Sequence, residues 1–186
     1  SEEQKRISFD AVMQEKGLEG TFIMGLKMDD EYLNEIQKST YPVVLLDIPI
    51  KNSNVGYVTT NNLKGAQLAT EHLINLGHKK IGFLNGHKKA YVSQERLNGY
   101  ILALSKNGLQ VDSELIYEGD FTEASGFKAA DYFVQKGVTA VFAASDMMAI
   151  GLIKRLKELG VDVPKKVSVV GFDDISLARY ITPTLT

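Results

Sequence analysis

Five times in this chain an amphipathic helical stretch ends in a glycine and is followed, a few residues later, by a short apolar run. Gly17 precedes Thr21-Phe-Ile-Met24, Gly77 precedes Ile81-Gly-Phe-Leu84, Gly108 precedes Leu115-Ile-Tyr117, Gly137 precedes Ala140-Val-Phe-Ala143, and Gly160 precedes Val167 to Gly171. A glycine just past a helix accepts the left-handed backbone that satisfies the last carbonyls, so each is a helix stop with a mechanism. Helices alternating with short strands imply a parallel α/β sheet with right-handed crossovers. The helical stretches carry the matching period. Ala66, Ala69, Leu73 and Leu76 share one face; so do Leu97, Tyr100, Ile101 and Leu104, and again Met148, Leu152, Leu156 and Leu159. These stripes read as core, and Lys154, Lys157 and Glu158 between them as solvated surface.

The Val-rich run from Val167 reads as a strand buried on both faces, and it ends in two adjacent carboxylates, Asp173 and Asp174. Open parallel sheets bind ligands outside the carboxyl edges of their strands, so a site search starts there. The competing reading is that one of the two caps a helix over Ile175 to Tyr180. The rhythm breaks once. After the strand Val43 to Leu46, Asp47 leads into a segment where Pro49 and the turn residues Asn52, Ser53 and Asn54 exclude a helix. The chain then runs extended through Tyr57-Val-Thr59 before a helix opens near Asn61 and Asn62. This segment reads as a crossover between two lobes, residues 1–59 and 60–186. The first lobe is expected to be incomplete: the chain starts within a helix with no strand before it, and Pro183-Thr-Leu-Thr186 does not return to that lobe.

Composition removes several function classes. A formal charge of −2 over 186 residues supplies no basic footprint for nucleic acid, so direct DNA contact by these residues is not expected. With no cysteine, disulfides, thiolate metal sites and thiol nucleophiles are excluded; His72, His78 and His87 show no ligand spacing, and neither metal nor cofactor is expected. No apolar run approaches the roughly 18 residues of a membrane span. Ser1 to Arg6 is polar rather than signal-like, which points to a cytoplasmic location with no membrane partner. There is no G-x-S-x-G elbow, no Walker sequence and no G-x-G-x-x-G after a strand, and no carboxylate pair is marked out by spacing for work on a glycoside, so no catalytic residue is assigned.

The residues at the carboxyl ends of the expected strands are Met24 with Gly25, Asp47, Asn85 to Tyr91, Asp120 with Phe121, Ser145 with Asp146, and Asp173 with Asp174; Arg96 follows the fourth strand. Carboxylates accept from vicinal hydroxyls, Arg donates in a fixed fork, and an aromatic covers the apolar face of a sugar ring, so the set suits a small polyhydroxylated molecule. Each member also has a plainer reading. Asp146 can be a helix N-cap, Arg96 can pair on the surface with Glu95 or Asp174, and Phe121 can be core.

The ordered motifs His72-Leu-Ile-Asn-Leu-Gly-His-Lys-Lys-Ile-Gly-Phe, Glu95-Arg-Leu-Asn-Gly-Tyr, Glu118-Gly-Asp-Phe with Ser125-Gly-Phe, Ala144-Ser-Asp-Met-Met-Ala-Ile-Gly and Val169-Val-Gly-Phe-Asp-Asp closely resemble the effector-binding core of the lactose-repressor (LacI/GalR) family of bacterial transcription regulators. The resemblance implies a periplasmic-binding-protein-like fold of two doubly wound, Rossmann-like lobes with a sugar or related effector in the cleft between them. It also implies a homodimer that reaches operator DNA through a helix-turn-helix domain not present in this chain. Asp47, Arg96, Phe121, Ser145 and Asp173 match positions that contact the effector in that family, and Asp146 follows the matched Ser145. Ser145 stands where many sugar-responsive members have Asn, and Met24 where some have a polar residue. His87, Lys88 and Tyr91 fall in the most variable stretch and are secondary candidates, as is Met24. The alternative of the same fold is a secreted sugar-binding protein serving a transporter. For either, truncating Arg96 or Asp173 is expected to cost about 1.5 to 3 kcal/mol of binding with little change in fold.

Overall fold

Gly17, Gly77, Gly108, Gly137 and Gly160 all take positive φ in the computed structural model, which describes residues 7–186. Ser1 to Arg6, read above as a polar lead, lies outside the described residues. At Gly137, φ is +63° and the N–H donates to Val134 O at 3.0 Å, ending the helix as the sequence requires.

The chain divides into two compact units, one holding the chain through Thr60 together with Lys89–Val92, the other Asn61–Lys88 and Ser93–Thr186. In the first unit, β1 (Thr21–Ile23), β2 (Val43–Leu46) and β3 (Val55–Val58) form a parallel sheet in chain order, with α1 (Phe9–Glu15) and α2 (Tyr32–Ile36). The segment expected to be a plain crossover therefore contains a strand, because Val55 and Tyr57 register against Val43 and Leu45. One face of this sheet packs Val43, Leu45 and Val55 against Phe9, Met13, Leu33 and Ile36. On the other face Phe22 is 75% and Val58 61% exposed. Lys89 belongs here through its carbonyl, which accepts from Met28 N at 2.9 Å, and an ion pair with Asp29.

The second unit is a parallel sheet of β4 (Ile81–Asn85), β5 (Ile116–Glu118), β6 (Ala140–Ala143) and β7 (Ser168–Val170) in the order β5-β4-β6-β7. Every residue of β4 and β6 is buried, the condition for central strands covered on both faces. Around them lie α3 (Asn62–Asn75), α4 (Tyr91–Lys106), α5 (Glu123–Lys136) and α6 (Asp146–Glu158). The stripes read from the sequence form the core, with two exceptions. Leu76 and Leu159 occupy helix C-caps, where the helical rotation has stopped, and are 62% and 37% exposed. Tyr100 is core: its ring stacks on Phe83 with centroids 5.0 Å apart, its hydroxyl donates to Ile81 O at 2.8 Å, and burial pushes the phenol well above its ordinary pKa. Helices α5 and α6 meet backbone to backbone at Gly126 and Gly151; a methyl group on Gly151 would lie 2.0 Å from Glu123 O. No helix among the described residues is long and apolar enough to cross a membrane.

Candidate functional site

In the second sheet the strand order reverses between β4 and β6, and the crevice outside such a reversal is where doubly wound sheets bind ligands. Arg96 projects from α4 to that place. It is 8% exposed; its Nε donates to Asn62 Oδ1 at 2.9 Å, its Nη1 donates to the carbonyl of Ala144 just past β6, and its Nη2 lies 3.7 Å from Asp173 Oδ1. The guanidinium stacks 3.9 Å above the Phe172 ring and lies 6.0 Å from the Phe121 ring centroid. The surface pairing with Glu95 or Asp174 considered above is thus corrected: Arg96 turns inward, and exposed Asp174 pairs with Arg179 at 3.3 Å. A buried cation held this way presents a positive, rigid floor beside a carboxylate whose side chain is 39% exposed, a combination that suits hydroxyl or carbonyl groups of a neutral ligand.

Phe121 and Asp173 reach this place through unusual backbone. Among the described residues, four that are not glycine have positive φ: Asp47 at 63°, Phe121 at 69°, Asp173 at 110° and Asp174 at 52°. Each follows the carboxyl end of a strand, β2, β5 or β7. Such conformations cost of order 1–3 kcal/mol each and persist only where the surroundings hold them, which is characteristic of binding sites.

Ser145 and Asp146 have local tasks. Ser145, not Asp146, is the N-cap of α6, its Oγ accepting from Met148 N at 3.3 Å. Asp146 is 2% exposed; its N–H donates to Phe172 O at 2.8 Å and its Oδ2 accepts from Ile175 N at 2.9 Å. Burial holds its carboxyl above the usual carboxylate range, opposed by the hydrogen bond from Ile175. Asp146 therefore latches the loop after β7 to the start of α6, and both side chains support the edge from within. The segment after Asp174 is a 3-10 turn, Ser176–Arg179, whose N-cap is Ile175 with no side-chain hydrogen bond, so neither Asp173 nor Asp174 caps a helix.

In the first unit Asp47 is exposed just past β2, its N–H donating to Val58 O at 2.9 Å and its Oδ1 accepting from Thr59 Oγ1 at 3.0 Å. Met24 is 76% exposed beyond β1, and Tyr91 is half-buried at the start of α4. In the second unit His87 is half-buried and Lys88 exposed after β4. Sequence reasoning missed Asn62 and Phe172. The signal for Asn62 was the pair Asn61-Asn62: Asn61 caps α3 through Oδ1 to Lys64 N, leaving the second asparagine, 2% exposed, with another partner.

A model of the periplasmic binding protein-like domain matches residues 70–186. The chain is 34% identical over 185 residues to an HTH-type transcriptional repressor PurR of Photobacterium profundum, covering 98% of this chain and 55% of that protein. Among solved structures it is similar to a sugar-binding transcriptional regulator of the LacI family from Escherichia coli complexed with phosphate, with 34% identity, TM-score 0.81, and coverage of 94% of this chain and 64% of that one. It is similar also to a complex of the transcriptional regulator CelR with cellobiose, with 32% identity, TM-score 0.84, and coverage of 96% and 57%. The chain thus spans little more than half the length of the curated relatives it matches.

Proposed function

Because this chain belongs to the periplasmic binding protein-like domain family, as the effector-binding core of a LacI/GalR-type regulator, we propose that it senses a sugar or similar small polar effector and thereby modulates operator binding by the whole protein. The observation that carries the site is that Phe121 and Asp173, both within the sequence motifs, sit past their strand ends on positive-φ backbone beside the buried Arg96 guanidinium. In this reading Arg96 and Asp173 hydrogen-bond effector hydroxyls or carbonyls, Phe121 covers an apolar face, and Phe172 with Asn62 fixes the guanidinium. Asp47 is a further contact, and Met24, His87 and Tyr91 are secondary ones. Ser145 and Asp146 act as supports. Homodimerisation and a cytoplasmic location belong to the same proposal, as does the absence of a catalytic step. The secreted-receptor alternative is set aside, because the relative matched over 98% of the chain is a transcriptional repressor.

Calorimetric titration of the protein with ribose, cellobiose and guanine tests the contacts. With whichever binds, Asp173→Ala should weaken affinity by about 1.5–3 kcal/mol, a charge-assisted hydrogen bond lost from a half-open side chain. The denaturation midpoint should barely move. Unchanged affinity in both Asp173→Ala and Phe121→Leu would sink the site.

A further inference from the structure

Gly86, directly after β4, has no conformational need to be glycine: its φ lies outside the left-handed region that glycine alone enters easily. Space demands it instead. A Cβ there would stand 1.9 Å from Phe121 Cζ, 2.2 Å from Cε1 and 2.5 Å from Cε2, so the end of the Phe121 ring lies where a side chain on residue 86 would begin. The seat is itself held, since Gly86 is buried and its N–H donates to Oδ1 of Asn85, a residue 2% exposed. Phe121 arrives there on a backbone with φ of +69° and remains half-buried, its ring 6.0 Å from the Arg96 guanidinium. Gly82 makes a similar approach to Phe133, but there both partners are buried core residues.

We propose that Gly86 is a positioning residue for effector recognition: its bare α-carbon is the seat that fixes the height and tilt at which Phe121 is presented at the sheet edge. This rests on the reading of Phe121 as an effector contact. The three atoms nearest such a side chain all belong to the far end of one aromatic ring, which can swing aside, so the fold survives and the platform is lost.

Two readouts separate the seat from its consequence. In protein labelled with 15N-glycine, the Gly86 amide resonance should differ from its position in Phe121→Leu, with no effector present; coincident resonances would overturn the seat. In titrations with ribose, cellobiose and guanine, Gly86→Ala should weaken the probe that binds about tenfold in the wild-type background. It should change nothing in a Phe121→Leu background, because a residue acting only through another loses its effect when that other is gone. Equal losses in both backgrounds, or none in the first, would overturn the proposal. A shifted amide with Phe121→Leu binding every probe as wild type would overturn it together with the contact role of Phe121, and Asp173→Ala would then show whether the rest of the site stands.

Discussion

Arg96→Ala should lower the stability of the protein by at least about 3 kcal/mol, a larger effect than its effect on binding alone would suggest. The side chain is 8% exposed and joins three parts of the second unit: α3 through Asn62, the end of β6 through Ala144 O, and the loop after β7 through Phe172 and Asp173. Truncation removes charge-assisted hydrogen bonds to two buried residues, each worth about 1.5–3 kcal/mol, and a cation–π stack of about 2 kcal/mol when desolvated. The ion pair with Asp173 adds little, because at 3.7 Å and with that carboxylate 39% exposed, water screens it. Arg96→Lys should recover only part of the loss, since an ammonium cannot serve Asn62 and Ala144 in the fork geometry. Urea denaturation monitored by circular dichroism measures it. A wild-type midpoint for Arg96→Ala would show that the guanidinium is not structural. The sequence-based expectation that the fold would hardly notice this substitution is thereby replaced, and Asp173→Ala becomes the cleaner probe of binding.

Gly151→Ala is expected to cost about 3 kcal/mol, at the upper end for overpacking a core. The added methyl would meet Glu123 O at 2.0 Å and Phe127 N at 2.9 Å, which are backbone atoms of α5 and cannot rotate away. The approach is reciprocal, since a methyl group on Gly126 would lie 2.0 Å from Met148 O, so Gly126→Ala should be similarly costly. The pair should not add, because once the helices have separated for one methyl they have made room for the other. The denaturation midpoint should fall with the slope against urea unchanged. A loss below about 0.5 kcal/mol would mean that α5 and α6 slide apart freely, in contrast to a core at crystal-like packing density.

Much of this architecture was legible because its signals are local. Each glycine stop needs only one left-handed residue, and each helix stripe only a period, so the strands and helices of the second unit follow from short windows of sequence. The extended stretch at Tyr57 was read without its pairing, since a strand is defined by partners distant in the chain, here Val43 to Leu46. The site was legible as a set of residue types at strand ends but not as a division of labour. Nothing in the local sequence says that Ser145 caps α6 while Asp146 reaches Ile175, because Ser and Asp are both good caps and only the approach of the β7 loop distinguishes them. Likewise the burial of Arg96 depends on Phe172, whose ring occupies the space beside Gly65, an interaction spanning three separate segments.

The central claim, that effector recognition by this chain is coupled to DNA binding, is tested most directly by operator affinity of the whole protein at fixed salt, titrated with a panel of sugars and nucleobases. A ligand shifts a two-state equilibrium only by binding one state better than the other, so an effector that acts here must change operator affinity, and by reciprocity operator must change effector affinity by the same factor. The expected result is one effector, held through Asp173, that alters operator affinity by at least about fivefold in either direction. Tight binding of that effector with operator affinity unchanged would contradict it.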